Sequence, residues 1–296
     1  MSSSPSSYKA VVVENVPWGE PSSEEVLVKV IAYGICHTDA IMQAGYLGNA
    51  FPHIPGHEIV GDIVKVGEGC QRGLHQMCEN AKAHGVTVDG GFVEYMTVRA
   101  EAVFRVPRVM APSEVAPLMC AGLTTFNGIR KMGVNPGSVV AVQFANRMGF
   151  KVVALSSGDS KKDFAKQLGA HQYIDTSTED LIAALTALSG AALIAATAPN
   201  AKAILPLVQS PRPLGKLLVL APVGNIDFDT TAVTRRSVSV HTWPSGNILD
   251  AEETLEFAKL HGTKCLIERF PLEDTDKAMG RMLSGTCQVQ ECFGHG

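Results

Sequence analysis

Three short segments carry residue types suited to chemistry: Gly34-Ile35-Cys36-His37-Thr38-Asp39, Gly56-His57-Glu58 and Cys120-Ala121-Gly122-Leu123-Thr124. Two thiolates and an imidazole are good zinc ligands. A set of three leaves a fourth position open for water or substrate, the pattern of a catalytic and not of a structural site. Cys36, His57 and Cys120 are therefore the candidate ligands. Singly, each has a plainer reading: a lone cysteine is usually a small buried hydrophobe, and a lone histidine a hydrogen-bonded or exposed imidazole. The weight lies in the ordered set.

Such side chains need rigid elements to aim them. Glu25 to Tyr33 reads as a valine-rich strand closed by Gly34, which puts Cys36 just past a strand end, while His57 follows a Pro55-Gly56 turn. Lys9 to Glu14, Ile59 to Val66 and Phe92 to Val98 are further β-like runs, so residues 8 to about 112 read as β-rich. From about Ser113 the texture changes. Val139 to Val142, Lys151 to Leu155, Leu193 to Ala196 and Lys216 to Leu220 are short apolar runs, with helical stretches at Lys161 to Leu168 and Thr178 to Leu188. Buried parallel strands of a doubly wound sheet have this pattern. Another helical stretch runs from about Ala251 to His261.

With 296 residues and 46% hydrophobic content, the chain can bury a sizeable core and reads as two domains. Its formal net charge is -4 and its basic residues are dispersed, which gives no footprint for nucleic acid or an anionic membrane. A small-molecule partner is expected. The Ser-rich start has no apolar targeting core and no later apolar run is long enough to span a bilayer, so the expected location is cytoplasmic. The 7 cysteines are odd in number and scattered, which fits reduced thiols better than a disulfide framework.

The order of the three segments and their neighbours resembles the zinc-dependent alcohol dehydrogenases of the medium-chain dehydrogenase/reductase family, over almost the whole chain. The resemblance implies an α/β protein. A GroES-like catalytic domain that carries the zinc would span residues 8–118, and a Rossmann-like domain with a doubly wound parallel sheet residues 119–250. Residues 251–296 would return to the first domain. It also implies roles. Cys36, His57 and Cys120 hold a catalytic zinc, with Glu58 as a fourth or exchanging ligand; the plainer reading of Glu58 is a solvated carboxylate. Asp39 accepts a hydrogen bond from His57 and fixes the ring, or else is a helix N-terminal acid. Thr38 touches the reacting oxygen, His37 contacts cofactor phosphates or extends a proton relay, and Thr124 contacts the cofactor. Zinc would stabilise an alkoxide or polarise a carbonyl while a nicotinamide carries the hydride between a small alcohol and its aldehyde or ketone. Homodimers or homotetramers are the family's usual assemblies.

The chain also departs from the family. Many members carry four cysteines as C-x2-C-x2-C-x7-C for a structural zinc, but here only Cys70 and Cys78 remain, and Val66-Gly67-Glu68-Gly69 runs directly into Cys70. Two thiolates do not complete a closed four-coordinate site, so one zinc per chain is expected unless His75 or His84 substitutes. Cys265, Cys287 and Cys292 read as ordinary thiols. The glycine-rich turn that cradles a dinucleotide pyrophosphate is missing after Val142. Only eight residues then precede Lys151, fewer than the roughly 10 to 12 of a parallel crossover, so a normal first βαβ unit is not expected. Three internal segments thus look shortened: after Glu14, before Cys70, and here.

Past the second strand, Ser156, Ser157 and Lys161 suit a ribose 2′-phosphate, which favours NADP(H) over NAD(H), although Asp159 keeps NAD in play. The plainer reading is a turn before a solvated helix start. Two alternatives to an active zinc enzyme stand beside it. One is a chain that keeps the fold, cannot hold the cofactor and serves only as a binding or non-functional product. The other is a zinc-free reductase of the same superfamily, which the three retained ligands argue against.

Overall fold

The computed structural model describes residues 21–23, 25–45, 53–66, 83–135, 139–140, 143–284 and 290–294, with the backbone alone at residues 66, 101, 139–140, 143 and 290–294. The expected strand Lys9 to Glu14 and the cysteines Cys70, Cys78 and Cys287, with His75, lie outside the described residues. Along the chain the strands are β1 (Glu25–Gly34), β2 (Glu58–Val66), β3 (Tyr95–Arg99), β4 (Val139–Val140), β5 (Lys151–Ser156), β6 (Gln172–Asp175), β7 (Ala191–Ala196), β8 (Pro211–Val219), β9 (Ser239–Thr242), β10 (Ile267–Phe270) and β11 (Gln290–Gly294). The α-helices are α1 (His37–Gln43), α2 (Pro112–Val115), α3 (Ala121–Lys131), α4 (Gln143–Arg147), α5 (Lys162–Gln167), α6 (Leu181–Ala187), α7 (Ala201–Ile204), α8 (Thr230–Arg236), α9 (Ile248–His261) and α10 (Thr275–Ser284).

The chain forms two compact units. The first comprises Met1–Ala121, Asn247–Lys259 and Lys264–Gly296, and the second Gly122–Gly246 and Leu260–Thr263.

In the first unit β1 is the organising strand. It pairs antiparallel with β2 along most of its length, with β3 over its first half and with β11 over its last three residues, and β10 continues parallel to β11. Changing partner halfway along one strand, with register shifts in the β1–β2 ladder, bends the sheet around its own core. Val26, Val28, Val30, Tyr33 and Ile35 line that core with Phe92, Val93 and Met96. Each such apolar side chain contributes about 1.5–3 kcal/mol on full burial. The valine-rich run that marks β1 in the sequence thus anchors the strand from which the segment after Gly34 leaves the sheet.

The second unit contains two three-stranded parallel sheets, β4-β5-β6 and β7-β8-β9, with β4 lying beside β7. The resulting sequence β6-β5-β4-β7-β8-β9 has the 3-2-1-4-5-6 order of a doubly wound dinucleotide-binding sheet, whose chain reverses direction between its first and fourth strands. All six residues of β7 are buried, as expected for a strand covered on both faces. Leu217 and Leu218 of β8 are fully buried as well.

The first crossover of this sheet is short, in line with the shortened first βαβ unit expected from the sequence. β4 ends at Val140, two residues before the expected end, so ten residues separate it from β5. Ten is the lower limit for a parallel crossover, and the strands do pair in parallel, Val139 with Lys151 and Val140 with Val152. The helix of that crossover, α4, is only five residues long. A βαβ unit therefore forms, in a shortened version. Among the described residues no helix is long and apolar enough to cross a membrane.

Candidate functional site

The β1–β2 register builds the site. Gly34, the last residue of β1, pairs with Glu58, the first of β2. Cys36 follows that pair on one strand and His57 precedes it on the other, so antiparallel pairing sets them side by side. Cys120 arrives from elsewhere in the same unit, immediately after the 3-10 turn Ala116–Met119, whose Ala116 and Leu118 are buried. Cys36 Sγ and Cys120 Sγ stand 3.9 Å apart. One ligand atom from each of Cys36, His57, Glu58 and Cys120 falls within 4.8 Å of all the others. Both cysteines are free thiols.

Asp39 holds this arrangement through both of its oxygens. Its Oδ2 accepts the Cys36 backbone N–H at 2.9 Å and so caps the start of α1. Its Oδ1 accepts the Gly56 N–H at 3.1 Å and lies 3.2 Å from His57 Nδ1. Asp39 thus makes both contacts that its two readings called for, one to the His57 ring and one to the start of α1. With Nδ1 engaged, His57 presents Nε2 to the cysteines, and that buried nitrogen has no hydrogen-bond partner. Gly56 makes the turn possible: its φ is +103, and a Cβ there would meet the Phe92 ring at 2.5 Å.

Gly34 makes room of another kind. A Cβ on it would overlap the Glu58 carboxylate, which is fully buried and could not otherwise turn toward the sulfurs. Gly34 belongs to the first motif, yet only the strand register reveals this role.

Electrostatics favour a cation in the pocket. The Cys36 thiol is pulled down to about 3, first by its hydrogen bond to Cys120 and further by His57, against the effect of burial. Cys120 is pushed up by the same hydrogen bond and by burial. Burial disfavours the charged form of His57, but Asp39 and the neighbouring Cys36 outweigh it and push the ring up. Glu58 is pushed up by burial and by the Cys36 charge. Without a cation these acidic groups cannot all ionise together, whereas a dication would favour every deprotonated ligand. The donor set, the spacing and the unpartnered Nε2 all fit zinc.

The remaining candidates divide between the units. The Thr38 hydroxyl lies 3.6 Å from Cys36 Sγ, and His37 beside it is exposed. In the second unit Thr124 is half-buried in α3, Ser156 is half-buried at the end of β5, and Ser157 and Lys161 are exposed beyond it. Among the other cysteines, Cys265 is a free thiol pushed up to about 12, chiefly by burial. His84 Nδ1 lies 2.9 Å from the Asp89 carbonyl oxygen, while the cysteines it would join lie outside the described residues.

Comparison with known proteins gives a consistent result. Residues 22–108 match the alcohol dehydrogenase GroES-like domain and residues 138–261 the zinc-binding dehydrogenase domain. The chain is 40% identical to the alcohol dehydrogenase patD of Penicillium expansum, with 98% of each chain covered. It is 31% identical to an alcohol dehydrogenase of Geobacillus stearothermophilus, covering 94% of this chain and 93% of that one. The match to patD runs over 333 positions, more than the 296 residues available, so that relative carries internal residues with no counterpart here. Among solved structures, a cinnamyl alcohol dehydrogenase of Sorghum bicolor superposes with a TM-score of 0.82 at 25% identity, over 94% of this chain and 92% of that one. The fold also matches the alcohol dehydrogenase of Aeropyrum pernix, with a TM-score of 0.84 at 23% identity, over 95% of this chain and 96% of that one.

Proposed function

We propose that this chain, which belongs to the zinc-binding alcohol dehydrogenases of the medium-chain dehydrogenase/reductase family, interconverts a small alcohol and its aldehyde or ketone at a site built on Cys36, His57 and Cys120. The observation that carries the proposal is the convergence of those ligand atoms, with Glu58, within 4.8 Å around an unpartnered His57 Nε2. A zinc ion held there would supply a Lewis acid for the substrate oxygen, and a nicotinamide would supply or accept the hydride.

The chain's own residues do the rest. Asp39 fixes the His57 tautomer and aims Nε2 at the pocket, as carboxylates behind metal-bound histidines do. Thr38, whose hydroxyl lies beside Cys36, orients the substrate hydroxyl and takes over its proton. Exposed His37 passes that proton to solvent or contacts a cofactor phosphate. Glu58 waits behind Gly34 as an exchanging ligand.

For the cofactor, the sheet order supports binding at the carboxyl ends of the strands in the second unit. Ser156, Ser157 and Lys161 at the end of β5 offer hydroxyls and an ammonium group to a 2′-phosphate, so we favour NADP(H) over NAD(H). Asp159, three residues past Ser156, is the group that would serve NAD instead. Thr124 is the proposed contact from α3. A cytoplasmic location and a homodimer or homotetramer belong to the same proposal.

One observation favours a second reading, a family member that keeps the fold without holding the cofactor: the crossover from Val140 to Lys151 contains no glycine before Gly149. Reduction of a panel of aldehydes by the zinc-loaded protein separates the two. The first reading expects turnover that is faster with NADPH than with NADH and is lost on chelation. Folded, zinc-loaded protein with no turnover on either cofactor would leave the second.

A further inference from the structure

The turn that leaves β5 is held by its neighbouring strand from two sides. The Gly158 N–H donates to Asp175 Oδ1 at 2.7 Å, and the Gly158 carbonyl accepts from the Tyr173 hydroxyl at 2.5 Å. Both partners sit on β6. Parallel pairing of β5 with β6 sets Ala154 opposite Tyr173 and Ser156 opposite Asp175, so two alternate residues of one strand reach the same glycine. Asp175 is itself fixed: its Oδ1 also accepts the Ser177 N–H at 2.9 Å and the Ser177 hydroxyl at 2.6 Å, and its own N–H donates to Glu179 at 2.9 Å.

An exposed turn does not need this. Ser157, Asp159 and Ser160 are open to solvent, and water would satisfy the Gly158 amide and carbonyl equally well. What side-chain partners add is a single conformation. They freeze the backbone immediately after Ser156 and Ser157, at the end of the second strand of the dinucleotide-binding order, where such sheets meet the adenosine ribose. Preorganising that backbone removes an ordering cost from binding.

We propose that Tyr173 and Asp175 are positioning residues for the cofactor, clamping the Ser156–Gly158 turn so that its hydroxyls and Lys161 are set for the phosphorylated ribose. This rests on the reading of β5 as the ribose-binding strand. Tyr173 has the clearer role because its hydroxyl is spent on the turn. Asp175 needs only an acceptor oxygen, so an amide in its place can still take the Gly158 N–H.

The test uses a fragment that reports the ribose end without the pyrophosphate turn. Adenosine 2′,5′-bisphosphate and adenosine 5′-monophosphate are titrated calorimetrically into the full chain and into Tyr173→Phe, Asp175→Ala and Asp175→Asn, with thermal unfolding and protection of the Gly158 amide from exchange followed in parallel. The clamp predicts that wild type prefers the bisphosphate. Tyr173→Phe and Asp175→Ala should each weaken it about tenfold and speed Gly158 exchange at near-unchanged melting temperature, while Asp175→Asn stays close to wild type. Equal bisphosphate affinity in wild type, Tyr173→Phe and Asp175→Ala would overturn the clamp and leave the ribose site standing. Wild type that binds neither nucleotide would overturn the ribose site and the clamp with it.

Discussion

Gly34 shapes the metal pocket through the side chain it lacks. Replacing it with alanine puts a methyl group where the Glu58 carboxylate lies, so Gly34→Ala should move that carboxylate off the sulfurs. In cobalt-substituted protein the visible ligand-field bands are expected to shift, and shortening the acid in Gly34→Ala/Glu58→Asp should bring them back toward wild type. Identical spectra in all three proteins would mean that Glu58 does not approach the metal. Asp39 has two tasks, and Asp39→Asn disturbs both. Loss of the carboxylate behind His57 should weaken zinc about 10- to 100-fold in competition with a chromophoric chelator. The weakened α1 cap should cost about 1 kcal/mol in the zinc-free chain. Zinc affinity equal to wild type would remove Asp39 from the centre. These residues were visible in the sequence as types in a fixed order. Gly34's reason for being glycine was not, because it depends on the residue across the strand pair.

Among the elements, those with strong patterns were legible. β1 could be read from its valines and β7 from an unbroken apolar run, and both were found within two residues of their ends. β6, β9 and β10 have four residues each, too few for a period to show, and their register comes from neighbours. The clamp on Gly158 was invisible for the same reason: Tyr173 and Asp175 matter only once β6 lies beside β5. Its pH response follows from Asp175, whose carboxyl is held at about 2, first by Ser177 and also by the Gly158 amide. A depressed carboxyl contributes stability that is fully present above its ordinary value of about 3.9. That contribution is lost as pH falls through 2. A protonated carboxyl keeps an acceptor oxygen, as an amide does, so the protection factor of the Gly158 amide should be flat above pH 4, fall modestly between 4 and 2 as the charge assistance is lost, and stay flat in Asp175→Asn; a wild-type profile as flat as that of Asp175→Asn would contradict the charge-assisted bond. The shortened crossover makes a separate prediction. Without a glycine-rich turn the pyrophosphate loses several charge-assisted hydrogen bonds, roughly 1.5–3 kcal/mol each, so calorimetry should give NADPH a much weaker affinity than in relatives that keep that turn, and turnover should need a correspondingly high cofactor concentration. Binding as tight as in those relatives would show that another segment cradles the phosphates.

At the scale of the whole molecule, family membership and a shortfall of internal residues concern the same chain. The family match extends from one end to the other, yet the alignment to patD needs more positions than the chain has residues. What survives intact is the segment set that makes the metal centre: the end of β1, the start of β2 and the turn before α3. The central claim is that these segments hold one zinc ion. Elemental analysis of the full chain, purified without chelators, tests it most directly. About one zinc per chain, falling sharply in Cys36→Ser and Cys120→Ser, is the expected result. A wild-type value near zero in folded protein would contradict the account, and a value unchanged by both substitutions would place the metal elsewhere.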